Sequence, residues 1–290
     1  MSRSGSELLD ARFLAQLERL QLTTRRRLTG SLLGDHRSPR HGPSLDFADF
    51  RDYYPGDDLR RIDTSALARL DRLLLKLYDA EDDLTVRLLI DTSASMAGAK
   101  LERARQLAAA LGFLALTRRD EVLVQAFPSS TAAHRFRGRS STNRLFDHLA
   151  GYEAGGATDL DSAASRLLDE GGPGGLTVVI SDLLTAEWQD ALRRLPARGA
   201  DVVVVHLLDP ADVDPALEGD LELVDAESDD RIEVSVTAEV LASYRNAADV
   251  WLADVAARVR TNGGRYVRLL SDTSIETMLL RHASEAGVLR

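Results

Sequence analysis

The sequence has no cysteine. That removes disulfides, thiolate metal ligands and thiol nucleophiles together. No apolar run approaches the ~18–20 residues a bilayer span requires, and the N-terminus lacks the apolar stretch of a secretory leader. A cytoplasmic protein without a membrane span is the expectation. Positive charge is in deficit: 36 Lys and Arg stand against 46 Asp and Glu, a net charge of -10. Phosphate backbones require clustered basic side chains, so nucleic acid is not the expected partner. Several catalytic signatures are also missing. There is no G-x-x-x-x-G-K-[ST], which argues against an ATPase, and no G-x-S-x-G elbow. The six histidines (His36, His41, His134, His148, His206, His282) have no zinc-binding spacing and read as ordinary surface or core residues.

What remains is 290 residues, 44% hydrophobic and 28% charged, enough for one large globular domain with an accessory segment. The charge is uneven: residues 1–40 hold eight arginines against Glu7, Asp10, Glu18 and Asp35. The run Arg25-Arg26-Arg27 could touch an acidic partner, lipid headgroups or RNA, but three charges make a weak patch, and a solvated helix end is the favoured reading.

Hydrophobic spacing organises the chain. Leu8, Leu9, Phe13, Leu14, Leu17, Leu20 and Leu22 predict a helix over 7–29, ended by Gly30. Residues 34–44 read as a polar linker. Pro55-Gly56 marks a turn, and Leu67 to Leu77 fits either short strands or a helix. Residues 1–80 are thus expected to form an N-terminal accessory region and 81–290 the main domain. From residue 84 strands and helices alternate, the pattern of a mostly parallel α/β sheet flanked by helices. Strands are expected at 85–90, 122–127, 133–136, 176–180, 202–208 and 266–270, and a hairpin at 220–224 with 231–236. Helices are expected near 98–117, 141–151, 159–169, 185–195 and 238–260, with one more at the C-terminus. In the first of these, Leu101, Ala104, Leu107, Ala108, Leu111 and Leu114 line one face. In the longest, Leu241, Tyr244, Ala248, Trp251, Leu252, Val255 and Val259 form the inner side.

Three loops carry chemistry. Asp91-Thr-Ser-Ala-Ser95 follows the apolar strand Thr85-Val-Arg-Leu-Leu-Ile90 and places one carboxylate and two hydroxyls two residues apart. Ser95 alone could cap the next helix, but a cap uses one side chain and not three. Gly155-Gly156-Ala157-Thr158-Asp159-Leu160 offers a hydroxyl before a helix, and Ser181-Asp182 puts a second carboxylate at a strand exit. Each alone fits an ordinary turn or cap. Together they fall at the carboxyl edge of one sheet, where α/β proteins bind ligands. Oxygen-only ligands suit a hard cation such as Mg2+, with Mn2+ or Ca2+ as substitutes. Two carboxylates and neutral hydroxyls do not fill an octahedral shell, so an acidic side chain from a partner could complete it.

This arrangement resembles the metal-ion-dependent adhesion site of von Willebrand factor A-type domains, over about residues 82–275. The family pattern D-x-S-x-S, a loop Thr and a strand-end Asp maps onto Asp91, Ser93, Ser95, Thr158 and Asp182. The family commonly has Gly-Gly-Thr-Asp-Leu where this chain inserts Ala157. Upstream, Phe47-Ala-Asp-Phe-Arg-Asp-Tyr-Tyr-Pro-Gly-Asp-Asp-Leu-Arg-Arg-Ile-Asp63 resembles the signature of the bacterial DUF58 family, departing at Thr64, where the family usually has Trp. A simpler reading makes it a structural turn with Asp57, Asp58, Arg60 and Arg61 in ion pairs. The resemblance implies a binding module and not an enzyme, its metal held by those five residues with Asp182 in the outer shell. It also implies an adaptor or co-chaperone working with a MoxR-type AAA+ ATPase. Two alternatives stay open. One is a magnesium-dependent phosphohydrolase or phosphotransferase with Asp91 as nucleophile. That chemistry wants an acid/base two residues on, where Ser93 stands, and no lysine is evident beside the third loop. The other is a structural domain of the same type that holds no metal.

Overall fold

The structure, a computed structural model, describes residues 8–23, 46–54, 57, 62–64, 66, 69, 72–79, 84–128, 132–169 and 175–289. The chain divides into two units at 28 and 83, so the described residues 8–23 belong with the larger unit. The expected boundary at residue 80 lies close to the second division, but the first described segment does not group with the 46–79 region.

The smaller unit contains β1 (Asp46–Asp52) and β2 (Leu74–Asp79), paired antiparallel with an irregularity between Phe47 and Asp49. Ile62 bridges to Leu75, and Arg72 pairs with Asp52 at 2.6 Å. The turn after Tyr54 closes by reciprocal bonds: the Tyr54 N–H donates to the Asp57 carboxylate at 2.9 Å and the Asp57 N–H to the Tyr54 carbonyl at 3.1 Å. The ion pairs expected of Asp58, Arg60 and Arg61 lie outside the described residues.

The larger unit is a mixed α/β fold built on a six-stranded sheet. Its strands are β3 (Thr85–Asp91), β4 (Glu121–Phe127), β5 (His134–Arg137), β6 (Leu176–Ser181), β7 (Asp201–Leu208) and, last in the chain, β10 (Arg265–Leu270). Their order is β10-β7-β6-β3-β4-β5, all parallel except β5. The central strands are buried along both faces, which is why they read as continuous apolar runs. Alternation splits the core in two. Val86, Leu88, Ile90, Val178, Ile180, Val203 and Val205 face one side; Leu89, Phe127, Val179, Val202 and Val204 face the other.

The first side is covered by α1 (Ala11–Leu17), α2 (Ala99–Thr117), α3 (Thr142–Ala150) and the C-terminal helical turns Ile275–Thr277 and Met278–Ala283. Helix α1 is shorter than expected. Asp10 caps it, accepting from the Phe13 N–H at 2.6 Å, and it ends at Leu17, before Leu22 bridges to Leu289. Residues 24–29 of that expectation lie outside the described residues. Helix α2 is not one-faced: every residue from Leu107 to Leu116 is buried. Small side chains permit this, since Ala108 to Ala110 and Gly112 let neighbours come close. A Cβ on Gly112 would stand 2.5 Å from Leu145 Cδ2 of α3.

The second side is covered by α4 (Leu160–Asp169), α5 (Trp188–Arg194) and the C-terminal half of α7 (Ala238–Thr261). Before α7 come the short α6 (Pro210–Val213) and a separate antiparallel hairpin, β8 (Gly219–Val224) with β9 (Arg231–Val236). The expected inner side of α7 holds for the buried Leu252, Val255 and Val259 and for the half-buried Trp251, which packs on the same core; Tyr244 is exposed. The first turns of this helix stand clear of the sheet, with Tyr244 reaching the Asp212 carbonyl at 2.7 Å. No helix among the described residues is long and apolar enough to cross a membrane.

Candidate functional site

Between β3 and β6 the strand order reverses: β3 is followed in sequence by β4 on one side, while β6 lies on the other. Loops leaving these two strands diverge, and the crevice between them is where open α/β sheets hold ligands. Asp91 ends β3 at this point. Ile90 is level with Ile180, so Asp91 and Ser181 come side by side, and Ser181 is level with His206 on β7.

Asp91 has no solvent exposure. One carboxylate oxygen accepts the Ser93 N–H at 2.9 Å, the other the Ser181 hydroxyl at 2.5 Å. No cationic side chain among the described residues pairs with it. Burial pushes its pKa up to about 6, and the nearby Asp182 charge adds to the rise against the hydrogen bonds. Thr92 turns the other way and donates its hydroxyl to the Phe127 carbonyl at 3.0 Å. Ser93 and Ser95 bring their hydroxyl oxygens within 3.0 Å of each other.

Backbone bonds join the second loop to the first. The Gly155 N–H donates to the Thr92 carbonyl at 2.8 Å, and the Ala94 N–H to the Gly156 carbonyl at 2.9 Å. Gly156 has φ +80°, a conformation that favours glycine, and a Cβ there would lie 3.1 Å from Pro128 Cγ, a tight contact. Just beyond, Thr158 donates both its N–H and its hydroxyl to the Glu227 carboxylate, at 2.9 and 2.8 Å.

Asp182 is fully buried and points toward α2, where Lys100 Nζ donates to it at 2.7 Å and to Asp212 at 2.9 Å. Burial acts to lower the Lys100 pKa, but the two carboxylates outweigh it and the net shift is upward. The Asp182 carbonyl accepts from His206 Nε2 at 2.8 Å, and His206 Nδ1 lies 2.8 Å from the Tyr266 hydroxyl. A carbonyl only accepts, so His206 carries its proton on Nε2 and takes the Tyr266 hydrogen at Nδ1. Burial holds its pKa down to about 4, which keeps it neutral. His206 is thus the core histidine the sequence suggested, and it also pins the third loop.

The structure sets Asp91, Ser93 and Ser95 at the end of β3 and Asp182 at the end of the neighbouring β6, and ties the loop of Thr158 to the first of these. Sequence reasoning missed Lys100, Ser181 in its role toward Asp91, His206 in its hold on the Asp182 carbonyl, and Glu227. The absence of a lysine beside the third loop is corrected: Lys100 is there, supplied by α2. No group of three or more His, Cys, Asp or Glu side chains gathers as a metal site among the described residues. The expected donor set is mainly hydroxyl, with Asp91 its one carboxylate free of a cation. That set fits a hard divalent ion, whose charge would offset the burial of Asp91.

Residues 49–251 match the family described as "Protein of unknown function DUF58". The chain belongs to the DUF58 family. Among its relatives, the uncharacterized proteins Mb1516 of Mycobacterium bovis and Rv1480 of Mycobacterium tuberculosis are each 32% identical over 274 residues. These matches span 91% of this chain and 86% of theirs. Of solved structures, BatB from Bacteroides thetaiotaomicron aligns with a TM-score of 0.39 at 16% identity, over 70% of this chain and 98% of that one.

Proposed function

We propose that this chain is a metal-dependent protein-binding module with a von Willebrand factor A-like domain, and not an enzyme. In this reading Asp91, Ser93, Ser95 and Thr158 hold Mg2+, or Mn2+ or Ca2+ in its place, and Asp182 acts from the outer shell. When bound, the cation would offer an open coordination position to an acidic side chain of a protein partner. The observation that carries the reading is Asp91: a wholly buried carboxylate with no cation beside it among the described residues, at the switch point of the sheet, next to two paired hydroxyls. The Lys100 contact supports the outer role of Asp182, because one of its oxygens already serves an ammonium. The DUF58 resemblance supports a MoxR-type AAA+ ATPase as the working partner, with this chain as adaptor or co-chaperone in the cytoplasm.

The reading is tested by capture of partners with and without EDTA, and by calorimetric titration of Mg2+ into wild type and Asp91→Ala. Partners lost on chelation and in Ser93→Ala, with metal heat lost in Asp91→Ala, are the expected results. Metal heat absent from the wild type would favour a structural domain that holds no metal.

Lys100 also gives specific support to a second reading, a magnesium-dependent phosphohydrolase or phosphotransferase using Asp91, since a cation beside strand-end carboxylates can hold a phosphoryl oxygen. Ser93 still stands where that chemistry needs an acid/base. Turnover of an aryl phosphate that disappears in Asp91→Ala would establish it.

A further inference from the structure

Glu227 sits at the tip of the β8–β9 hairpin, 69 residues from Thr158 in sequence, yet its carboxylate takes both Thr158 donors. The tip is organised by its own bonds. Asp225 accepts the N–H groups of Glu227 and Ser228 at 2.9 and 2.8 Å, and the Asp225 N–H donates to the Asp230 carbonyl at 2.8 Å. Glu227 is therefore presented on a preformed turn. The hairpin itself is lightly held. Its strands pair only with each other, and of their residues Val236 alone is buried.

A threonine hydroxyl has one hydrogen and two lone pairs. By taking the hydrogen, Glu227 leaves the lone pairs of Thr158 free for a cation and sets its own carboxylate against the loop that carries Thr158. In the metal-site reading, a carboxylate beside Thr158 is beside the cation, where an acidic side chain from another protein would bind. We propose that Glu227 is a tethered internal ligand of the site, a carboxylate in cis that an acidic partner must displace before it can dock. This inference rests on the metal-site reading. The hairpin then sets a threshold: a partner must outcompete a carboxylate whose effective concentration is raised by its tether, so weakly acidic surfaces are rejected.

Two measurements test it. The chain has no cysteine, so Ala226→Cys carries a single nitroxide beside Glu227. Without metal, its spectrum is expected to be immobilised when Glu227 is present and mobile in Glu227→Ala. Equal mobility in both overturns the contact. Next, a cyclised peptide copying residues 222–233 is titrated by calorimetry, in Mg2+, into wild type, Glu227→Ala and the size-conserving Glu227→Gln. Binding to both variants is expected to be about tenfold tighter than to wild type, because the competent fraction is no longer reduced. It should vanish when the peptide's own counterpart of Glu227 is alanine. No binding to either variant, or binding no tighter than to wild type, overturns the inference. If the tenfold gain persists in EDTA and on an Asp91→Ala background, Glu227 still blocks the crevice, and the metal-site reading is what fails.

Discussion

Lys100 Nζ lies 2.7 Å from the Asp182 carboxylate, across 82 residues of sequence, and this contact separates the roles of two buried aspartates. Asp182 has its cation built in, whereas Asp91 pairs with none among the described residues. The side chain of Lys100 is 6% exposed and that of Asp182 0%, so water screens the pair little. Lys100→Ala leaves Asp182 and Asp212 without their ammonium. Breaking a buried pair from one side is expected to cost about 3–5 kcal/mol. Urea unfolding measures it, and a loss below about 1 kcal/mol, the size of an exposed pair, would show that water reaches the site.

Asp91 predicts an unusual pH dependence. Its pKa rises from 3.8 to about 6 on folding, so the folded protein binds this proton more tightly than the unfolded chain. Ionising Asp91 therefore opposes folding. The penalty is absent below the unfolded value, grows as pH rises through the interval, and is complete above about 6. Its size is about 3 kcal/mol. Asp91→Asn removes it while keeping partners for Ser93 and Ser181. In metal-free buffer the variant should gain on wild type as pH is raised from about 4 to about 8. A stability difference that is flat across that range refutes the assignment.

A cation should reverse this penalty. Ligands that bind only the folded state stabilise by mass action, by about 2.7 kcal/mol at about a hundredfold excess over the dissociation constant. Magnesium is expected to raise the melting temperature of wild type, EDTA to return it, and Ser93→Ala to blunt the response. The gain should shrink as pH falls below about 6, where Asp91 takes up its proton. A melting temperature indifferent to magnesium at neutral pH counts against the site.

Gly156→Ala probes the second loop. The residue would adopt φ +80° and press its methyl toward Pro128. The conformational cost is about 1–2 kcal/mol. Because the Gly156 carbonyl holds the Ala94 N–H, metal affinity should weaken along with stability. Weakened stability with intact metal affinity would show that the two loops are less closely joined than this bond implies.

The parts legible in the sequence are those written in local periodicity. The strands ending at Asp91 and Ser181 announce themselves as apolar runs, and their exits carry the expected oxygens. The full burial of α2 was hidden, because alanines at 108–110 signal equally well a solvent face and a tight contact. The exposure of the first half of α7 was hidden for the opposite reason: Leu241 and Tyr244 keep the helical spacing of a buried face although no sheet lies beneath them. Lys100 and Glu227 were beyond reach, since their partners lie 82 and 69 residues away. A lone lysine early in a helix, or a glutamate in a polar turn, looks like ordinary surface until the fold supplies its neighbour.

Strand β5 has a consequence for how this molecule meets others. Its four residues run antiparallel at one margin of the sheet, with Arg135 and Arg137 outward, Phe136 buried, and the exposed His134 on the Phe136 face, its ring 4.2 Å from that of His148 in α3. So short and charged a border is a poor template for a foreign strand to extend. Growth of the sheet by edge-on annealing is discouraged at this margin.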